Sequence, residues 1–227
     1  LSEHFNLLIK PEGFEIPYSA EKIHGISTEN AQKHGLPLIE ALRKFNESVS
    51  KVTTLVGHNI RFDMNALGAE FIRSGVATDF LEKKQVCTMR QSTDHLKLQG
   101  GRGGKFKSPK LMELYEFLFE GQFLEAHNAA ADVEATTRCF FELLRKKIIT
   151  PESLGLTPAQ YSLFISKNQG KIGPYGLTHR SNWEEEEVKK ADIEALPAVP
   201  TPEKPADTGF CHLHVHTQYS ILDGAAS

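Results

Sequence analysis

Short apolar runs that each hand over to an amphipathic helix constrain this chain more than any other feature. Val52 to Val56 reads as a β-branched strand that Gly57 breaks. The helix behind it carries Phe62, Asp63, Ala66, Leu67 and Phe71 and ends at Gly75. Val86-Cys87-Thr88-Met89 reads as a second buried strand. A long helix from about Ala129 buries Val133, Thr136, Phe140, Phe141 and Leu144, and its closing Arg145-Lys146-Lys147 suits a helix C-terminus. Strands alternating with helices predict an α/β domain with a largely parallel core. In such sheets, sites form at the carboxyl ends of strands, where His58-Asn59-Ile60-Arg61-Phe62-Asp63 lies.

Other elements follow from local signals. Residues 5–10 read as a strand closed by Pro11-Glu12-Gly13, and Ile23-His24-Gly25-Ile26 leads into a short helix near Glu29–His34. Pro37 opens a helix with Leu38, Ile39, Leu42, Phe45 and Val49 on one face, and Ser108-Pro109 caps one with Leu111, Leu114 and Leu118. Thr157-Pro158 starts a short helix through Phe164. Residues 181–209, with Glu184–Glu187 and Pro197, Pro200, Pro202 and Pro205, lack the apolar content to bury a core and read as a linker. The chain therefore divides into a domain at 1–150, a helical extension at 151–180, an acidic, Pro-rich linker at 181–209 and an ordered start at 210–227.

At 227 residues the chain suffices for one well-buried domain plus an appendage. Its three cysteines, Cys87, Cys139 and Cys211, form no Cys-x-x-Cys pair, which suggests reduced thiols in a cytoplasmic protein. Neither a bilayer-spanning run nor a signal peptide is present, so no membrane partner is expected. The net charge of −3 does not announce a nucleic-acid binder. Its distribution says more: Lys83, Lys84, Arg90, Lys97, Arg102, Lys105, Lys107 and Lys110 fall within 83–110 beside the acid Asp94. Such an excess can face phosphates, or it can be a solvated loop. The glycines of Gly100-Gly101-Arg102-Gly103-Gly104 fit neither a dinucleotide fingerprint nor a P-loop.

The chemistry concentrates at two helix entrances. His127-Asn-Ala-Ala-Ala-Asp132 repeats the frame of His58-Asn59-Ile60-Arg61-Phe62-Asp63. Magnesium takes oxygen ligands, commonly one or two protein carboxylates plus water and substrate phosphate. Two such ions can activate a water and stabilise a leaving oxygen. Asp63 and Asp132 are the candidate ligands, and His127, with a pKa near neutrality, is the candidate general base. Taken singly, each acid could merely complement a helix dipole and His127 could be structural. It is their joint occurrence, with Asn59 and Phe62 at fixed offsets, that favours hydrolysis of a phosphodiester.

These two segments resemble the second and third motifs of the DEDDh 3′–5′ exonucleases, which include bacterial DNA polymerase III proofreading subunits; Ile23-His24-Gly25-Ile26 is similar to the stretch before the second motif. The likeness spans roughly residues 1–147. It implies a ribonuclease H-like α/β fold with a mixed sheet flanked by helices, and removal of 3′ nucleotides with two Mg2+ or Mn2+ ions. It also implies metal binding by Asp63 and Asp132 and His127 as base; Asn59, Phe62 and His58 are read as substrate contacts, a structural role being the other reading of His58 and of His24. The family's first motif, Asp-x-Glu on an opening strand, is expected upstream of Leu1. Neither Asp132-Val133-Glu134 nor Asp192-Ile193-Glu194 substitutes for it. The chain as written is then expected to lack a central strand, to expose part of its core and to fall short of full activity.

The tail, His212-Leu-His214-Val-His216-Thr-Gln-Tyr-Ser220-Ile-Leu-Asp223-Gly224, resembles the opening of the PHP domain of bacterial polymerase III alpha subunits. That resemblance implies His214 and His216 as metal ligands of a site not complete within this chain. The reading is a proofreading exonuclease acting on a DNA 3′ end and joined in one polypeptide to a polymerase III alpha-type region. An RNA 3′-exonuclease of the same family and a non-catalytic 3′-end or polymerase-binding module are the alternatives.

Overall fold

The computed structural model describes residues 4–123 and 128–177, together with the backbone of 210–212. Three short helices come first: α1 (Tyr18–His24), α2 (Thr28–His34) and α3 (Leu38–Ser50). Strand β1 (Thr54–Gly57) then hands over to helix α4 (Ile60–Ser74), which ends, as expected, on Gly75 in the left-handed conformation (φ 67°). Strand β2 (Lys84–Cys87) passes directly into helix α5 (Thr88–Leu96). Helices α6 (Leu111–Phe119), α7 (Ala129–Arg145) and α8 (Pro158–Lys167) follow, and strand β3 spans Phe210–His212.

The sheet has the order β2-β1-β3, and both pairings are parallel. Opposite Thr54, Leu55 and Val56 lie Lys84, Gln85 and Val86 on one side and Phe210, Cys211 and His212 on the other. The expected mixed sheet thus appears only in its parallel part among the described residues. Thr54, Leu55 and Val56 are at most 2% exposed, so the expected opening of the core is not found along β1, which has a strand on either edge.

Side chains alternate across a strand, so β1 serves two cores. Leu55 joins Leu42 and Val49 of α3 and Ile60, Met64, Leu67 and Phe71 of α4. Phe45, Phe71 and Phe80 close that cluster with ring centroids 5.7–6.3 Å apart. Val56 points the other way, to Leu114 and Leu118 of α6 and Ala135, Cys139, Phe140 and Leu143 of α7. Helices α4 and α7 therefore cover opposite faces of the sheet.

Several local expectations are corrected. Residues 5–10 form no strand; Ile9 makes a single parallel bridge to Leu36. Thr88 and Met89 open α5 rather than closing a strand. Lys110, not Ser108, precedes α6, and its amide donates to Glu113 Oε2 at 2.7 Å. Ile39 lies exposed on α3, and Val133 and Phe141 are only half-buried on α7. Among the described residues no helix is long and apolar enough to cross a membrane.

After α8 the chain returns to α7, and three side chains spaced four residues apart hold its backbone. Glu142 Oε2 accepts from the Ile172 amide (3.1 Å), and Arg138 donates to the Ile172 carbonyl (2.9 Å from Nη2). Glu134 Oε1 accepts from the amides of Tyr175 (2.8 Å) and Gly176 (3.1 Å). Positions i, i+4 and i+8 share one helix face, so α7 grips the returning segment along its length.

Candidate active site

Two helices begin with the same sequence frame and enter it differently. At α4, Asn59 stands before the first turn with φ 61° and ψ 37° and makes no side-chain cap bond. Asparagine adopts this left-handed region more readily than most non-glycine residues, so β1 can turn sharply into α4. At α7, Asn128 is extended (φ −88°, ψ 122°), and its Oδ1 accepts from the amides of Ala130 (3.0 Å) and Ala131 (3.5 Å). Four residues beyond each asparagine stands an aspartate on the first helical turn: Asp63, 1% exposed, and Asp132, 7% exposed. The positive end of each helix dipole favours a carboxylate there.

Five acids are buried among the described residues. Glu70 is held by Arg73 Nη1 at 3.0 Å to both its oxygens. Arg145 and the Ile172 amide hold Glu142, and the amides of Tyr175 and Gly176 are bound by Glu134. These three have structural tasks, and Glu134's agrees with setting aside Asp132-Val133-Glu134 as a replacement first motif. The other two, Asp63 and Asp132, stand at the helix entrances and are not free of partners either.

No three His, Cys, Asp or Glu side chains group closely enough to hold a metal ion among the described residues. The donor chemistry of Asp63 and Asp132 nevertheless fits magnesium, a hard cation that commonly takes only one or two protein carboxylates and fills its sphere with water and phosphate. His127 lies outside the described residues, as do His214 and His216.

His58, expected as a substrate contact, is a tie. Its Nδ1 lies 3.0 Å from Thr88 Oγ1 and its Nε2 3.0 Å from the Pro109 carbonyl. A carbonyl only accepts, so Nε2 carries a proton toward Pro109, while Nδ1 bonds with the Thr88 hydroxyl, which also lies 3.3 Å from the Gly57 carbonyl. The half-buried ring thus joins the end of β1 to the start of α5 and the segment before α6. Thr88 and Pro109 escaped the sequence reading because their link to His58 is long-range.

Asn59 and Phe62 flank Ile60 and Arg61 at the start of α4. Both are half-buried. The Asn59 amide group makes no hydrogen bond, and the Phe62 ring stacks on no other ring, among the described residues. His24 is structural: its Nδ1 accepts from the Ile26 amide at 3.0 Å, and burial, partly countered by Glu21, lowers its pKa. His95 packs edge-on against Phe117. Cys87 and Cys139 are free, buried thiols, and burial pushes the Cys139 thiol up, far from thiolate chemistry.

A parallel sheet sandwiched by helices, with a buried aspartate at the mouth of a helix on each face, defines an α/β domain. The exonuclease family model, RNase T, matches residues 2–140, and the chain belongs to that family. It is an exonuclease domain whose substrate is nucleic acid. No curated protein matches the chain.

Proposed function

We propose that this domain removes nucleotides from the 3′ end of DNA and proofreads for a polymerase III alpha-type region in the same polypeptide. The observation that carries the reading is the pairing of Asp63 and Asp132. Both are buried, both occupy the first turn of a helix behind an asparagine, and the two helices pack on β1 from opposite faces.

In this reading Asp63 and Asp132 hold Mg2+ or Mn2+, two ions in the complete site. Bound there, the metal supplies an activated water and charge stabilisation of the scissile phosphate. The chain's own part is to hold two carboxylates fixed and close to helix N-termini that also favour phosphate. His127 takes the proton of the attacking water. Phe62 stacks on the terminal base and the Asn59 amide bonds to the terminal nucleotide, while His58 fixes the turn that presents them.

The choice of DNA rests on the tail from Phe210, whose His214 and His216 we assign to metal binding in a PHP domain that follows. Tethering proofreader to polymerase would raise the local concentration of the nuclease at the primer end. The test compares matched DNA and RNA oligonucleotides with the protein expressed from its complete reading frame, in magnesium. Faster release of 5′-monophosphates from DNA supports the reading. Faster release from RNA makes it an RNA exonuclease, and binding without cleavage makes it a 3′-end-binding module.

A further inference from the structure

Three cations of the basic stretch at 83–110 have partners within the fold. Lys83 pairs with Asp79 at 2.7 Å, the Lys84 ammonium donates to the Ser153 carbonyl, and Lys107 pairs with Glu113 at 2.6 Å. Those three charges are spent within the fold. Arg90 and Lys97 are exposed without a side-chain partner among the described residues, and so are Arg102 and Lys105. Arg102 and Lys105 sit on one hairpin-like loop.

That loop is built rather than loose. Leu98 and Lys107 form an antiparallel bridge, with the Lys107 amide donating to the Leu98 carbonyl at 2.8 Å. Gly101 lies so close to the returning strand that a Cβ would overlap the carbonyls of Lys105 and Phe106. Gly103 and Gly104 turn the tip with φ 66° and 75°, a region that L side chains rarely adopt. The glycines, which fit no nucleotide-cradling pattern, therefore make a narrow tip that carries two cations. Phe106 adds a ring that is 36% exposed and stacks on no other ring among the described residues.

The foot of the loop is bonded to the candidate site. Pro109, two residues beyond Lys107, accepts from His58 Nε2 at 3.0 Å. His58 immediately precedes Asn59 and stands five residues before Asp63. Lys107 is pinned to α6 by Glu113, so the arm is held at both its foot and its flank.

We propose that residues 98–107 form an arm that grips single-stranded nucleic acid beside the site, Arg102 and Lys105 pairing with backbone phosphates and Phe106 stacking on a base. A cationic groove or arm with an interleaved aromatic is the physical recipe for sequence-tolerant binding of single strands. The proposal rests on the exonuclease reading for the identity of the ligand. Its test, however, needs no cleavage.

Binding of a fluorescent single-stranded DNA of roughly twenty nucleotides to the full chain is followed by anisotropy in a chelating buffer, between about 50 and 200 mM salt. Arg102→Ala/Lys105→Ala should weaken binding about tenfold at the lower salt and reduce the log–log salt slope by about 1.4, since each phosphate contact contributes about 0.7 for single strands. Arg102→Lys/Lys105→Arg should restore the slope, which shows that charge, not folding, is at issue. Phe106→Ala should weaken binding several-fold at unchanged slope. An unchanged affinity and slope in the double alanine variant, or no measurable binding by the parent chain, overturns the arm. Failure of hydrolysis in magnesium with the binding pattern intact would instead count against the catalytic reading alone.

Discussion

Asp63 and Asp132 hold matching positions in helices that pack on opposite faces of one sheet, each the fourth residue of its helix and each preceded by a histidine–asparagine pair. The equivalence is one of position and burial, because the two asparagines reach it by different backbone conformations. Replacing either aspartate by asparagine keeps the volume and removes the charge. Each variant should lose about a thousandfold in cleavage, roughly 4 kcal/mol of transition-state stabilisation. Steady-state assays in magnesium, paired with thermal melts that show the fold retained, check this. Near-parental cleavage by either variant would exclude the metal-binding role of that residue.

The cap of α7 has a separable value. Asn128→Ala leaves the amides of Ala130 and Ala131 without their side-chain acceptor and should cost about 1 kcal/mol in urea denaturation. Asn128→Asp restores an acceptor and should recover most of the loss. For Asn59 the outcome differs, since it makes no cap bond. There Asn59→Gly should be tolerated, because glycine enters the left-handed region freely, and Asn59→Val should destabilise the turn.

His58 predicts a stability effect with a local address. His58→Ala removes one partner of the Thr88 hydroxyl and the donor to the Pro109 carbonyl, and should cost about 1–3 kcal/mol. Hydrogen exchange should accelerate at the start of α5 and around residues 107–111, ahead of the rest of the domain. Uniform acceleration across all helices would contradict the role of a tie between those segments.

Glu142 makes stability fall in acid. Burial would raise its carboxyl, but hydrogen bonds from Arg145 and the Ile172 amide outweigh that and leave it below its ordinary value of 4.5. A carboxyl lowered on folding contributes stability that is complete above the ordinary value and is lost as pH falls through the folded one. Thermal melts from neutral pH into acid should therefore show an acid limb that Glu142→Gln flattens. Superimposable limbs in parent and variant would show that the grip of α7 on the 172–176 segment does not depend on this charge.

The strand–helix handovers were legible in the sequence because hydrophobic period and helix stops coincide there: Gly57 and Gly75 fall where β1 and α4 end. The entrance frames at Asp63 and Asp132 were equally plain, being local. What escaped has physical reasons. Helix α5 hides its signal because its buried positions are Thr88 and Ser92, and the Ser92 hydroxyl bonds back to the Thr88 carbonyl at 2.7 Å. Helix α1 buries only Ala20. An apolar run such as residues 5–10 says nothing of whether a partner strand lies beside it, and here a single bridge is all it finds. Glu134, Arg138 and Glu142 look like a solvated helix face until the backbone some thirty to forty residues later arrives to occupy them.

Hydrolysis at a 3′ end should depend on Asp63 and Asp132 together. The most direct measurement follows 5′-labelled single-stranded DNA incubated in magnesium with the protein expressed from its complete reading frame, beside its Asp132→Asn variant. The parent protein should give a ladder shortening one nucleotide at a time from the 3′ end with release of 5′-monophosphates, and the variant should give neither. DNA that persists intact with the parent protein, or shortens equally with Asp132→Asn, would contradict it.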